Sequence, residues 1–209
     1  MIALVALVLI PACQFDSAQP GISSGASSTT SDVDTNATPP DSVRLAVTNA
    51  VAGIDGLRSG LATTFDTSNV TQETFQRVCK PVKVQAMETA RENGWIVQQL
   101  GRKHRNPAHG LDSLATLAHD QFAQNEDMDS MWRQTTMGGT DGWRYFQRIT
   151  VEPGCLACHG PKEERPDFVK TGYPNDSAYG FKVGDLRGVY AVFVPMPVHS
   201  WDSQTSSGS

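Results

Sequence analysis

Long apolar runs are nearly missing from this chain of 209 residues. The clearest, Ile2 to Ile10, is nine residues long, whereas a membrane-spanning helix needs about 20. Blocks of one charge are missing too. Seventeen basic and 22 acidic residues give a net charge of -5 and are interspersed, so there is no electrostatic footprint for a nucleic-acid backbone. Cysteine is sparse, with residues at 13, 79, 155 and 158 only. That is a poor basis for the disulfide framework of a small scaffold, and the spacing of the last pair fits cofactor attachment better. No internal repeat is visible. With a leader and a polar stretch set aside, about 160 residues remain, the size of one ordinary domain.

The run Ile2 to Ile10 has the length of the apolar region of a signal peptide. It closes on Ile10-Pro11-Ala12-Cys13, which resembles the lipobox of bacterial lipoproteins, although Pro11 is unusual there and no Lys or Arg precedes the run. Residues 1–12 are therefore expected to be a leader, with Cys13 the lipidated first mature residue. Gln14 to Pro40 is Ser, Thr, Gly, Asp and Pro with almost no large apolar side chain, so residues 13–41 read as an anchor followed by a flexible tether. Residues 42–200 are expected to fold and 201–209 to form a disordered tail. The expected location is the periplasmic side, held at the membrane by lipid.

Within the folded part, Asp41 or Ser42 can cap a helix that ends near Gly60. A second helix is predicted from about Thr71 to the Asn93-Gly94 stop signal, kinked or broken at Pro81. Trp95 to Lys103 reads as extended, and Leu111, Leu114, Leu117, Ala118 and Phe122 form a helical stripe. Met131 to Met137 and Trp143 to Val151 read as a hairpin across Gly138 to Gly142. Val189 to Met196, almost wholly apolar, is predicted as a central strand. Helices lead and strands dominate later, which favours an α+β domain.

The most specific signal is Cys155-Leu156-Ala157-Cys158-His159. Two thiols separated by two residues match the two vinyl groups of a c-type haem, and the next residue offers an imidazole to the iron. Three other readings compete: a thioredoxin-like redox pair, a zinc site completed by Cys79 with His109 or His199, and a strained local disulfide. Glu152-Pro153-Gly154 makes a turn in strand-rich surroundings, which is not the setting of a thioredoxin motif.

These residues, with Tyr145-Phe146-Gln147-Arg148-Ile149, Gly172-Tyr173-Pro174, Ala178-Tyr179-Gly180-Phe181 and Gly184-Asp185-Leu186-Arg187-Gly188-Val189, resemble a bacterial family of single-haem c-type domains with a PAS-like fold. That family was long catalogued as a domain of unknown function. Arg105-Asn106-Pro107 matches the start of its RNPxN element, whereas His109 and Gly110 stand where the family usually has Asn and a further Pro. The resemblance spans about residues 42 to 197 and is strongest in the second half.

A sixth ligand opposite His159 has to come from Cys79, Met87, His104, His109, His119 or His199. The resemblance implies a cysteine on the helix before the first strand, the place Cys79 occupies. Arg77, Lys80 and Lys83 stand near it in sequence and are expected to favour its thiolate. Arg102 and Arg105 are candidates to pair with the haem propionates. Two non-enzymatic roles follow: a redox or small-ligand sensor with His/Cys ligation that signals to a protein partner, or a monohaem electron carrier. A peroxidase is a weaker third reading, because only histidines could serve as its acid or base.

Overall fold

The computed structural model describes residues 38–64 and 66–196. The expected leader, Cys13 and its lipid, nearly all of the tether, His199 and the tail lie outside the described residues.

Helix α1, Asp41–Ala62, begins after Pro40, whose extended ψ of 146° places it at the cap position. Neither Asp41 nor Ser42 caps it as expected; Asp41 sits in the first turn, where its charge favours the positive helix end. Val47, Val51 and Ile54 form the fully buried stripe. Packing of that stripe holds the helix through Gly53, Gly56 and Gly60, each of which costs about 1 kcal/mol relative to alanine in a helix interior.

Helix α2, Gln72–Asn93, starts at a reciprocal cap between Thr71 and Thr74 and ends at Gly94, whose φ of 67° suits glycine. It runs through Pro81 without a break, so of the expected kink or break the break is not found. The carbonyl that Pro81 deprives of a partner belongs to Arg77, an exposed residue, so water can satisfy it.

The sheet is antiparallel with order β1-β4-β3-β2. Its strands are β1 (Ile96–Leu100), β2 (Ser130–Met137), β3 (Thr140–Thr150) and β4 (Leu186–Pro195). The β2–β3 turn is tighter than expected, because Gly138 and Gly139 take φ of 59° and 80° and allow a two-residue connection. Helix α3, Ser113–Gln124, is capped by Asp112, which accepts from the Ala115 amide at 2.9 Å.

Strand β4 is apolar on both faces because both are covered. Tyr190, Val192 and Val194 pack with Val47, Val51 and Ile54 of α1 and Val82 of α2. Val189 and Ala191 pack with Ala115, Ala118 and Phe122 of α3. This is the predicted α+β arrangement, with helices on each side of a four-stranded sheet.

Between β3 and β4 the chain makes a 3-10 turn at Pro153–Cys155, then helices α4 (Leu156–His159) and α5 (Asp167–Gly172), and returns as an irregular strap. The base of this excursion is closed by two backbone bonds, Val151 N–H to Asp185 O and Gly184 N–H to Val151 O, both 2.9 Å. The β3–β4 register shifts where it begins: Ile149 faces Gly188 and Thr150 faces Leu186, so Arg187 is the extra residue of a bulge.

Candidate functional site

A cleft of about 250 Å³, open to solvent, lies between α2, the strand ends and the Pro153–His159 turn. Phe75, Val78, Val82, Leu100 and Ile149 supply apolar wall. Arg58, Lys83, Arg105 and Arg187 line it, and among the described residues no Asp or Glu does.

Cys155, Cys158 and His159 meet in this cleft, and Cys79 reaches it from α2. All three cysteines are free thiols. The pair follows an antiparallel strand and opens a helix of only four residues, so the redox-pair setting is not reproduced. Among the described residues no group of three or more His, Cys, Asp or Glu side chains is placed to hold a metal ion, so Cys79 and His109 do not complete a zinc site with the pair; His199 lies outside those residues.

The imidazole of His159 is oriented by its neighbours. Its Nδ1 lies 2.6 Å from the carbonyl oxygen of Ala178. A carbonyl only accepts, so Nδ1 carries the proton and Nε2 keeps the free lone pair. Burial, with Arg187 and Arg105 nearby, pushes the ring's pKa down to about 3, so the ring stays neutral at physiological pH. A neutral imidazole with a free Nε2 is the form that binds iron.

Cys79 has solvent-accessible area because it faces the open cleft, yet surrounding protein displaces bulk water from it. Burial pushes its thiol up to about 11, with Cys158 adding to the rise and Arg105 opposing it. The expected activation by Arg77, Lys80 and Lys83 is not what the fold provides. Arg77 is turned to Glu73 at 3.9 Å on the exposed helix face. Burial likewise raises Cys158, against the pull of Arg105.

The two predicted arginines part company. Arg105 lines the cleft, donates to the Cys158 carbonyl at 3.0 Å and pairs with Asp176 at 3.2 Å. Arg102 does not line it and instead pairs with Asp120 of α3. Among the alternative sixth ligands, His104 and His109 border the cleft. Met87 is 60% exposed elsewhere on α2, and His119 is buried on α3.

Sequence reasoning missed two residues here. Arg187 is turned into the cleft by the bulge, stacks 5.2 Å from the Phe181 ring and donates to Lys103 O at 2.8 Å. Burial, with Arg105 beside it, lowers its pKa to about 10. An arginine at the head of an otherwise apolar strand was the available signal. Arg58 grips the cysteine turn from α1, donating to Glu152 at 2.9 Å and approaching the Cys155 sulfur at 3.8 Å. Asp55 holds Arg58 at 2.8 Å and accepts from the Tyr190 hydroxyl at 3.0 Å.

An α+β domain with three free thiols and an oriented imidazole in a cationic, partly apolar cleft is the class that fold and site define. The chain belongs to the Tll0287-like family, whose model, described as Tll0287, matches residues 27–195. It is similar to a solved structure, the crystal structure of the cyanobacterial heme-protein Tll0287. The two are 43% identical over 77% of this chain and 98% of that one, with a TM-score of 0.67. No curated protein matches the chain.

Proposed function

We propose that this protein binds one haem c covalently through Cys155 and Cys158, with His159 as one axial ligand and Cys79 as the other. The single observation that carries the reading is the His159 imidazole, neutral and fixed through Nδ1 on Ala178 O, in the same cleft as three free thiols. The 43% identical Tll0287 is a heme-protein, which supports the cofactor.

The residues present fit that group. Two thiols stand at the sequence spacing that suits the vinyl groups, part of the wall is apolar, and among the described residues cations but no carboxylates line the cleft. Arg187 is suited to a propionate, because guanidinium matches carboxylate, whereas Arg105 already gives Nε to Asp176 and Nη2 to the Cys158 carbonyl and keeps Nη1 for such a contact. Arg102, bound to Asp120, is not placed for that task. A haem would supply an iron able to change oxidation state and exchange an axial ligand.

This chain's own residues bias that centre. An anionic sulfur from Cys79 favours the ferric state, while the protein around the thiol opposes its ionisation. On reduction the iron holds an anionic sulfur less strongly, so that ligand can leave. That balance favours a redox or small-ligand sensor, not an enzyme, exported and lipid-anchored through Cys13, with a PAS-like domain that signals to a protein partner. The alternative is a monohaem electron carrier on the same side of the membrane.

Optical spectra of the haem-loaded protein in both oxidation states, with Cys79→Ala alongside, test the reading. A low-spin ferric parent of low potential is expected, with a variant that keeps its haem, gains an open sixth position and rises in potential. Retention of the ligand by the parent through reduction favours the carrier. Identical spectra in parent and variant assign the sixth ligand elsewhere, with His104 and His109 next to be replaced.

A further inference from the structure

The strap that follows α5 is organised around one carboxylate. Asp176 has a side chain fully removed from solvent, in a loop where most residues are open to it. Its Oδ2 accepts from Arg165 Nη1 at 2.8 Å and from Arg105 Nε at 3.2 Å, while its Oδ1 accepts from the Ala178 amide at 2.8 Å. Arg165 is itself buried, at 8% exposure. A buried carboxylate with two guanidiniums and a backbone amide has its acceptor sites used, and each partner is fixed in turn.

Two of those partners lead to the cysteine turn. Ala178, fixed through its amide, presents the carbonyl that accepts from His159 Nδ1 at 2.6 Å. Arg105, fixed through Nε, uses its other end to hold the Cys158 carbonyl at 3.0 Å. Backbone bonds from Phe181 N–H to His159 O at 3.1 Å and from Gly180 N–H to Gly160 O at 2.6 Å seat the strap on the same turn. Asp176 touches neither the thiols nor the imidazole; it acts on both through a residue on each side.

We propose that Asp176 is the positioning residue of this site: it sets the His159 tautomer and ring orientation through Ala178, and anchors the Cys158 peptide through Arg105. The two arms are chemically separable. Asp176→Ala removes both. Asp176→Asn keeps an oxygen for the Ala178 amide but turns an NH2 toward two guanidiniums that need an acceptor, so the Arg105 arm alone is lost along with the negative charge.

The inference rests on the haem reading only for its second readout. The first is the tautomer of His159 by nitrogen NMR of the ring in the full chain without haem. The parent should show a single Nδ1–H form, Asp176→Asn should keep it, and Asp176→Ala should lose it to a mixture. The second is the reduction potential of the haem-loaded chain, expected to rise in both variants because a buried negative charge is gone. A parent that takes up no haem defeats the haem reading and leaves the NMR result to judge Asp176 alone. A folded Asp176→Ala with the parent's single tautomer overturns the proposal, as does a folded Asp176→Asn with the parent's potential. Where neither variant folds, hydrogen exchange of the parent decides: protection of the Ala178 amide upholds the clamp, and exchange at the rate of an open loop overturns it.

Discussion

Replacing Asp112 by alanine tests whether α3 is held to the sheet by one carboxylate with two tasks. Asp112 caps α3 by accepting from the Ala115 amide at 2.9 Å. It also holds both terminal nitrogens of Arg144, at 2.9 and 2.6 Å. The Arg144 side chain is only 4% exposed, and its Nε has no partner among the described residues. Loss of an N-cap costs about 1 kcal/mol. Leaving a fully buried charge unpaired costs about 3–5 kcal/mol, but Asp112 is 48% exposed, so water can enter beside Arg144 and that share falls to roughly 1–2 kcal/mol. Together the loss is about 2–3 kcal/mol, which at about 2–4 °C per kcal/mol lowers Tm by roughly 4–12 °C. Asp112→Ser should recover the cap part only. Burial works to raise the Asp112 pKa, but the Arg144 hydrogen bonds and the Ala115 amide hold it below the usual carboxylate range. Its contribution is therefore complete above the unfolded carboxylate pKa of about 3.9 and disappears as pH falls through the lower folded value. Parent and Asp112→Ala melts, followed by circular dichroism, should differ at neutral pH and converge in acid. A difference under about 0.5 kcal/mol at pH 7 in urea unfolding would refute the reasoning.

Arg187→Ala should weaken the site and shift the potential of the haem-loaded protein, while Arg102→Ala should leave both unchanged; equal effects in a redox titration would contradict the placement of the two side chains. Gly154→Ala would put a Cβ 2.1 Å from the Ala62 carbonyl oxygen, so the cysteine turn must move off α1. A fall in the haem-loaded fraction and in Tm is expected there, and parent values for both would show that the turn is not seated as described. Removing the vinyl-directed thiols together, Cys155→Ala with Cys158→Ala, should leave any bound haem extractable by acid-acetone.

The parts of this protein that were legible in the sequence are those governed by local rules. Gly94 and Thr71 bound α2 because capping acts within a turn or two. Strand β4 betrayed its central place by being apolar on both faces. The spacing of Cys155, Cys158 and His159 is covalent chemistry and needs no fold to be read. What stayed hidden depends on contacts between distant segments. Arg102 and Arg105 look alike three residues apart, yet one meets Asp120 on α3 and the other meets Asp176 in the strap. Arg187 owes its direction to a bulge that no residue in the strand announces. The Cys79 thiol was misjudged because Arg77 turns to Glu73 at the helix surface and burial of the thiol outweighs the cations near it. Pro81 was given too much weight, since its cost falls on an exposed carbonyl.

The most direct measurement of the central claim is the mass of the denatured, full chain after export alongside a cytochrome c maturation system. A single species is expected, heavier than the polypeptide by one haem, resistant to acid-acetone, and reduced to the bare polypeptide mass when Cys155 and Cys158 are both replaced. A polypeptide of unmodified mass from the parent, or a haem that the acid-acetone step removes, would contradict it.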